Sequence, residues 1–265
     1  MNDYASDNTA LVSRLQAALE KSSSYKTKTW WERYLKGAIA FRGVGIPEIR
    51  SILAVWRCEN GVDSWSAIDQ FALALRLFEE PIAEDKLAGI LYLQNYLHNE
   101  VPWRESINQF GALFDRGFIS DWNTCDWFCV RVLGPTIAAN GPTCASAVAA
   151  WSTSPELWKA RASVVGFVPV IETPDYHALV LHSSASLIRR NDRFAKTGVG
   201  WILRELSKHN PELVLAFVAE HLASFNTESI RNALKYSPES IRQKALQSLR
   251  AAHHQHTSDG TLRRR

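Results

Sequence analysis

A short segment, 121–127, combines carboxylate and indole side chains at a spacing that could do chemistry. If the segment is helical, Trp122 and Asp126 lie one turn apart on the same face. A carboxylate beside an indole can stabilise a developing cation, because the acid supplies negative charge and the ring presents its negative π-face. The same spacing fits a helix capped by Asp121 with two tryptophans in the core. Spacing alone leaves both interpretations open.

Arg161 is a second candidate, because it precedes an apolar run at 164–168. An arginine beside such a run either packs its stem at the edge of the core or grips a phosphate group. On its own, Arg161 favours the first of these roles.

A third candidate is the segment 198–205, which begins Gly-Val-Gly-Trp. The small residues allow another group to approach the backbone closely beside Trp201. Arg204 and Lys208 then share one helical face. Six Lys or Arg residues lie between 189 and 208, and aromatic residues among basic ones are typical of nucleic-acid-binding surfaces.

Metal and cofactor chemistry has little support in the sequence. Cys125 and Cys129 are four residues apart, but no further Cys or His pair at zinc spacing completes a site, so we expect them to be small core residues. His177 and His182 do not form an HExxH pair, and the sequence has no GxSxG, Walker or GxGxxG motif. We therefore expect neither a metal nor a cofactor.

The elements that must position these residues are helices. Strand signals are nearly absent, and a cap residue, a proline and an acid recur in order as a helix start. Amphipathic helices with short links predict an all-α chain that forms an α-solenoid or an irregular bundle. We expect one domain over residues 1–250 and a polar, disordered tail over 251–265. The starts begin at Ser154, Thr173, Asn210 and Ser237, with a weaker copy at Ile46.

Charge is distributed unevenly along the 265 residues, although the net charge is only +3. Residues 21–50 carry seven basic and two acidic side chains, and residues 189–208 carry six basic and two acidic side chains. Residues 51–130, in contrast, carry five basic and twelve acidic side chains. Clustered positive charge in a nearly balanced chain predicts a basic surface that faces a polyanion. There is no export signal and no apolar run of about 20 residues, so we expect a cytoplasmic protein with reduced thiols and no membrane contact.

Taken together, these segments resemble the AlkD family of DNA alkylation repair glycosylases, from about Trp31 to about Leu246. The resemblance rests on four blocks of sequence: residues 34–36 together with 41–50, the Trp122-x-x-x-Asp126 block, residues 157–162 and residues 196–205. The blocks at 122–126 and 196–205, in this order, are its more specific parts. The ends of the chain are not covered.

The resemblance implies a single superhelix of HEAT-like repeats whose concave, basic face holds duplex DNA. It implies excision of N3- or N7-alkylated purines by hydrolysis of the N-glycosidic bond, without a deep pocket for the base. Trp122 and Trp201 match the aromatic residues that flank the damaged nucleotide, Asp126 matches the catalytic carboxylate, and Arg161 matches a basic residue that contacts the backbone near the lesion. We expect these four residues to converge on one surface.

The partner that this implies is duplex DNA containing alkylated purines, bound by a monomer that associates with the nucleoid and has no obligatory protein partner. Two alternatives remain, a non-enzymatic scaffold and a catalytically silent relative that binds damaged or branched DNA. The basic side chains expected to contact the DNA phosphates are Lys26, Lys28, Lys36, Arg42, Arg190, Arg193, Lys196, Arg204 and Lys208.

Overall fold

The computed structural model describes the backbone of residues 3–262 and the side chains of residues 8–251. Over the described backbone the chain is helical and contains no β-strand; one isolated parallel bridge joins Ala40 and Ile82. The all-α prediction is confirmed. The helices group into two compact units, Met1–Ala139 and Asn140–Arg265. A single domain over 1–250 stays a prediction.

The first unit contains seven complete helices and two short 3-10 turns, at Val62–Ser64 and Leu77–Glu79. Helix α7 continues without a break into a π-helical turn, Cys129–Leu133, and then into α8. The helices are α1 (Asp3–Lys21), α2 (Tyr25–Tyr34), α3 (Ile46–Glu59), α4 (Ala67–Arg76), α5 (Ala83–Tyr96), α6 (Trp103–Asp115) and α7 (Trp122–Phe128).

Helix α8 (Gly134–Ala149) runs from the first unit into the second and is interrupted at Gly141, where φ is 69° and ψ is −158°. Pro142 follows, and a proline cannot donate a helical hydrogen bond. The later helices are α9 (Leu157–Val165), α10 (His177–Ile188), α11 (Arg193–Leu206), α12 (Pro211–His221), α13 (Thr227–Ala233) and α14 (Glu239–Leu262).

Most predicted helix starts are confirmed, with small shifts. Asn210 caps α12 and Pro211 is its first residue. At the 154–156 start the capping side chain is Glu156, which accepts a hydrogen bond from the Lys159 amide at 2.5 Å. The 173–175 start forms a 3-10 turn that leads into α10. In the predicted tail, 251–265, the backbone as far as Leu262 belongs to α14, and the side chains beyond residue 251 are not described. Disorder of this tail stays a prediction.

A buried charged segment at the start of α5 organises the first unit. Glu84 is fully buried and accepts backbone hydrogen bonds from Arg42, Gly43 and Val44 at 2.9, 2.7 and 3.0 Å. These bonds tie the loop between α2 and α3 to α5. Lys86, also buried, donates to the Phe118 carbonyl at 2.8 Å, in the segment that precedes α7. The start of α5 therefore positions both α2 and α7.

None of the helices described is both long and apolar enough to cross a membrane.

Candidate active site

Helix α7 presents Trp122 and Asp126 on its partly exposed side. Asp121 caps the helix, and its Oδ1 accepts a hydrogen bond from the Thr124 amide at 2.9 Å. Asn123, Thr124, Cys125 and Phe128 are buried, whereas Trp122 and Asp126 are half-buried. The cap and the shared face agree with the sequence prediction. The role of each side chain stays a prediction.

A π-helical turn over Cys129–Leu133 begins three residues after Asp126. Such turns occur often at functional sites, because the extra residue changes the direction in which neighbouring side chains point. Cys125 and Cys129 are both buried and neither forms a disulfide, which confirms that they belong to the core. Arg131 lies in this turn, 4.1 Å from the ring centroid of Trp127, and burial lowers the pKa of its guanidinium.

Aromatic residues of α2 line the Trp122 side of the site, although their sequence pattern does not point to a role there. The Tyr34 and Trp122 rings meet edge to face, with centroids 5.5 Å apart and an angle of 70°. Trp31 stacks on Phe41 at 5.5 Å, and both Trp31 and Trp122 pack against the buried Leu35, Phe41 and Ala83. The signal available in the sequence was Trp31 and Tyr34 at a helical spacing of three.

Arg161 lies in the second unit, on α9, and is only 5% exposed. Its Nη1 donates to the Phe194 carbonyl at 2.7 Å and to Thr197 Oγ1 at 3.3 Å. A Cβ added at Gly198 would lie 3.1 Å from the same nitrogen. Arg161 therefore holds α9 against α11, and a contact with phosphate stays a prediction.

Trp201 is half-buried on α11, next to the second glycine of the Gly-Val-Gly segment. A Cβ at Gly200 would lie 2.7 Å from the Ser229 carbonyl oxygen. Gly200 thus allows α11 and α13 to approach closely, as Gly198 makes room for Arg161. The two glycines explain the close backbone approach that the sequence predicted here, with protein rather than ligand as the neighbour.

The four predicted site residues divide between the two units. Trp122 and Asp126 belong to the first, and Arg161 and Trp201 to the second. The structure brings the members of the first pair together on α7. Convergence of all four on one surface stays a prediction.

The first basic cluster, 21–50, contains both free and engaged cations. Lys26 and Lys36 are exposed and have no ion pair with any side chain that the structure describes. Lys28 is 4.0 Å from Glu32. The prediction for Arg42 needs correction: its side chain is 7% exposed, and its Nη1 lies 3.0 Å from Oδ2 of the buried Asp85. Arg42 therefore stabilises the fold, and a phosphate contact would require this pair to break.

Burial raises the pKa of Asp85 to about 6, although the Arg42 charge acts in the opposite direction. The attraction to Arg42 thus does not fully offset the cost of burying the ionised Asp85 carboxylate in the first unit.

In the second cluster, 189–208, all five predicted DNA contacts have partners within their own unit. Acidic neighbours therefore offset much of the positive charge that the sequence places here. Burial also lowers the pKa of Lys196. The contacts are Arg190 to Asp192 and the Ser154 carbonyl at 2.9 and 2.8 Å, Arg193 to Glu228 at 2.7 Å, Lys196 to the Ser224 carbonyl, Arg204 to Glu205 at 2.6 Å, and Lys208 to Glu205.

Comparison with known proteins assigns the chain to a family. The family model described as DNA alkylation repair enzyme matches residues 15–237. The chain belongs to the DNA alkylation repair enzyme family. The matched residues include all four predicted site residues and most of both compact units. A role in repairing alkylation damage, with DNA as the substrate, follows from that membership.

The solved structure of the "Predicted DNA alkylation repair enzyme from Enterococcus faecalis" is similar to this family member in fold. The TM-score is 0.71 at 18% identity, over 82% of this chain and 98% of the other. At that identity the likeness supports the helical fold alone. No curated protein matches the chain.

Proposed function

We propose that this family member is a DNA glycosylase that removes N3- or N7-alkylated purine bases from duplex DNA. The observation that carries the proposal is the placement of Trp122 and Asp126 on one partly exposed side of α7, with the Tyr34 ring against Trp122. A carboxylate and electron-rich rings in one place suit a reaction in which positive charge develops on a sugar.

The chemistry requires little from the protein besides electrostatics. An alkylated purine is already cationic, so it leaves as a neutral base and takes both electrons of the bond between its nitrogen and C1′. The positive charge then lies on the sugar, where the ionised Asp126 and the Trp122 ring stabilise it. A water oxygen bonds to C1′, its proton passes to solvent, and an abasic site remains. Stabilisation that exists mainly in the transition state accelerates the step.

The second unit contributes Trp201 and Arg161 to this proposal. Trp201 flanks the damaged nucleotide, and the lesion lies against the protein surface rather than inside a deep pocket. Because Arg161 donates to the Phe194 carbonyl, its influence on binding includes the position of α11, which carries Trp201. The proposal requires both residues to act on the same nucleotide as Asp126.

The test is incubation of the protein with a duplex that contains a single N7-methylguanine, next to the same duplex with guanine. We expect free N7-methylguanine and an abasic site from the first duplex and no cleavage of the second. If the protein binds the damaged duplex but releases no base, it is a silent relative rather than a glycosylase. Failure to bind either duplex would favour a protein scaffold.

A further inference from the structure

Helix α2 exposes aromatic and basic side chains in two adjacent rows. It contains no buried residue. One row consists of Tyr25, Thr29 and Arg33, and the other of Lys26 and Trp30 followed by Tyr34; the members of each row are one turn apart. Tyr25 is 85% exposed and Trp30 is 57% exposed. An exposed apolar patch rimmed by polar side chains is typical of an interaction site.

The side chains of Tyr25, Lys26, Thr29, Trp30 and Arg33 border one open surface along this face of α2. Lys26 and Arg33 form no ion pair with any residue whose side chain is described. The positive end of the α2 dipole also lies at Tyr25. This face of α2 therefore combines aromatic surface with uncompensated positive charge.

The α2 helix is held firmly although none of its side chains is buried. The Ser24 amide, at its cap, donates to the Gly43 carbonyl at 3.2 Å, and a Cβ at Gly43 would collide with the backbone of Ser24. Glu84 fixes the same loop through the Gly43 amide. Trp30 itself stacks on Tyr34, with ring centroids 5.3 Å apart. The outer surface of the Trp30 ring is consequently a preorganised platform.

We propose that this face of α2 binds unpaired nucleotides of single-stranded nucleic acid. Bases stack on Trp30 and Tyr25, while Lys26 and Arg33 contact the phosphates. The nine residues from Tyr25 to Arg33 span about 12 Å, which accommodates about four nucleotides at a spacing of about 3.4 Å. Bases inside a duplex already stack on one another, so exposed rings favour unpaired strands. This binding is independent of the proposed excision of damaged bases.

The test is fluorescence anisotropy of a labelled 12-nucleotide oligothymidylate at low salt, with the full chain and its variants. We expect Trp30→Ala to weaken binding on the order of 10-fold, as loss of one base stack does, and Trp30→Phe to restore most of the loss. Lys26→Gln should reduce the slope of log affinity against log salt by about 0.7. The matched controls, Ile68→Ala for an exposed apolar side chain and Lys244→Gln for an exposed charge, should bind like the wild type.

Several results would overturn the proposal. One is an equal effect of Trp30→Ala and Ile68→Ala, and another is the absence of oligothymidylate binding at low salt. If Trp30→Ala weakens binding of a blunt undamaged duplex as much as it weakens binding of oligothymidylate, the face recognises charge and not unpaired bases. The oligonucleotide contains no alkylated base, so failure here is separate from failure to excise N7-methylguanine. Circular dichroism of each variant confirms that it is folded.

Discussion

Gly198 and Arg161 are in direct contact: a Cβ added at Gly198 would lie 3.1 Å from Nη1 of Arg161 and 3.3 Å from its Cγ. The neighbour here is a side chain that can move by a few tenths of an ångström. At Gly200 the neighbour is backbone, because an added Cβ would lie 2.7 Å from the Ser229 carbonyl oxygen. Two glycines two positions apart thus support α11 against different neighbours, α9 and α13.

The two glycines should respond differently to substitution by alanine. In a helix interior alanine is favoured over glycine by about 1 kcal/mol. For Gly198→Ala we expect this gain to offset the crowding of Arg161, so that the free energy of unfolding changes little. Gly200→Ala should lower it by about 1–3 kcal/mol, because the α13 backbone must shift. Urea denaturation of both variants measures the difference, and equal effects would contradict this account of the packing.

Much of the local structure could be predicted from the sequence. The capped start of α7 and the shared face of Trp122 and Asp126 depend on residues within one or two turns, and the helical period relates such residues directly. The same holds for Asn210 and Pro211 at the start of α12. These features appear in the structure as predicted.

Contacts between distant segments could not be predicted in this way. Arg42 appeared to be one of seven bases in a positive cluster, yet its charge is paired with Asp85, 43 positions further along the chain. Tyr34 and Trp122 likewise meet only after folding. The periodicity of one helix identifies its buried face but not the partner that covers it. The net charge counted along 189–208 also overstates the positive electrostatic field of this segment, because the folded chain brings acidic side chains next to its lysines and arginines.

Basic side chains with and without an ion pair should contribute differently to DNA binding. Lys36 is exposed without an ion pair to any described side chain. Arg193, in contrast, donates from Nε and Nη2 to the two carboxylate oxygens of Glu228, at 2.8 and 2.7 Å. For a duplex, Lys36→Gln should reduce the slope of log affinity against log salt by about 0.9. Arg193→Gln should reduce it by less than half as much, because Glu228 already balances that charge.

Fluorescence anisotropy with an undamaged duplex at several salt concentrations measures both slopes. A larger change for Arg193→Gln would mean that the ion pair with Glu228 opens when DNA binds. A slope that does not depend on salt for the wild type would favour the protein-scaffold alternative.

Asp85 should make stability depend on pH in a direction opposite to that of most carboxylates. Burial raises the pKa of this group from 3.8 to about 6 in the folded protein, so the folded state holds the proton where the unfolded state has released it. Stability associated with the neutral carboxyl is present below about pH 4 and is lost as the pH rises to about 6. Asp85→Asn stays neutral and should not show this loss.

Urea denaturation of wild type and Asp85→Asn between pH 4 and pH 8 isolates the effect of this carboxyl from that of other groups. The free energy of unfolding of the wild type, minus that of the variant, should fall between about pH 4 and pH 6 and stay level above pH 7. A difference that increases with pH would show that the attraction to Arg42 outweighs the cost of burial.

Asp126→Asn should separate chemistry from binding. The substitution keeps the shape of the side chain and removes the charge that stabilises a positive sugar, so excision of N7-methylguanine should slow by a factor on the order of 10²–10³. Affinity for undamaged duplex should hold or rise slightly, because a negative charge near phosphate has been removed. Single-turnover rates at saturating enzyme, measured together with binding curves, give both quantities.

Asp63→Asn, which removes an exposed acid on the 3-10 turn Val62–Ser64, is the matched control and should excise at the wild-type rate. If Asp126→Asn also excises at that rate, Asp126 is not the catalytic carboxylate, and Trp122 and Asp126 share a face of α7 only as part of its packing.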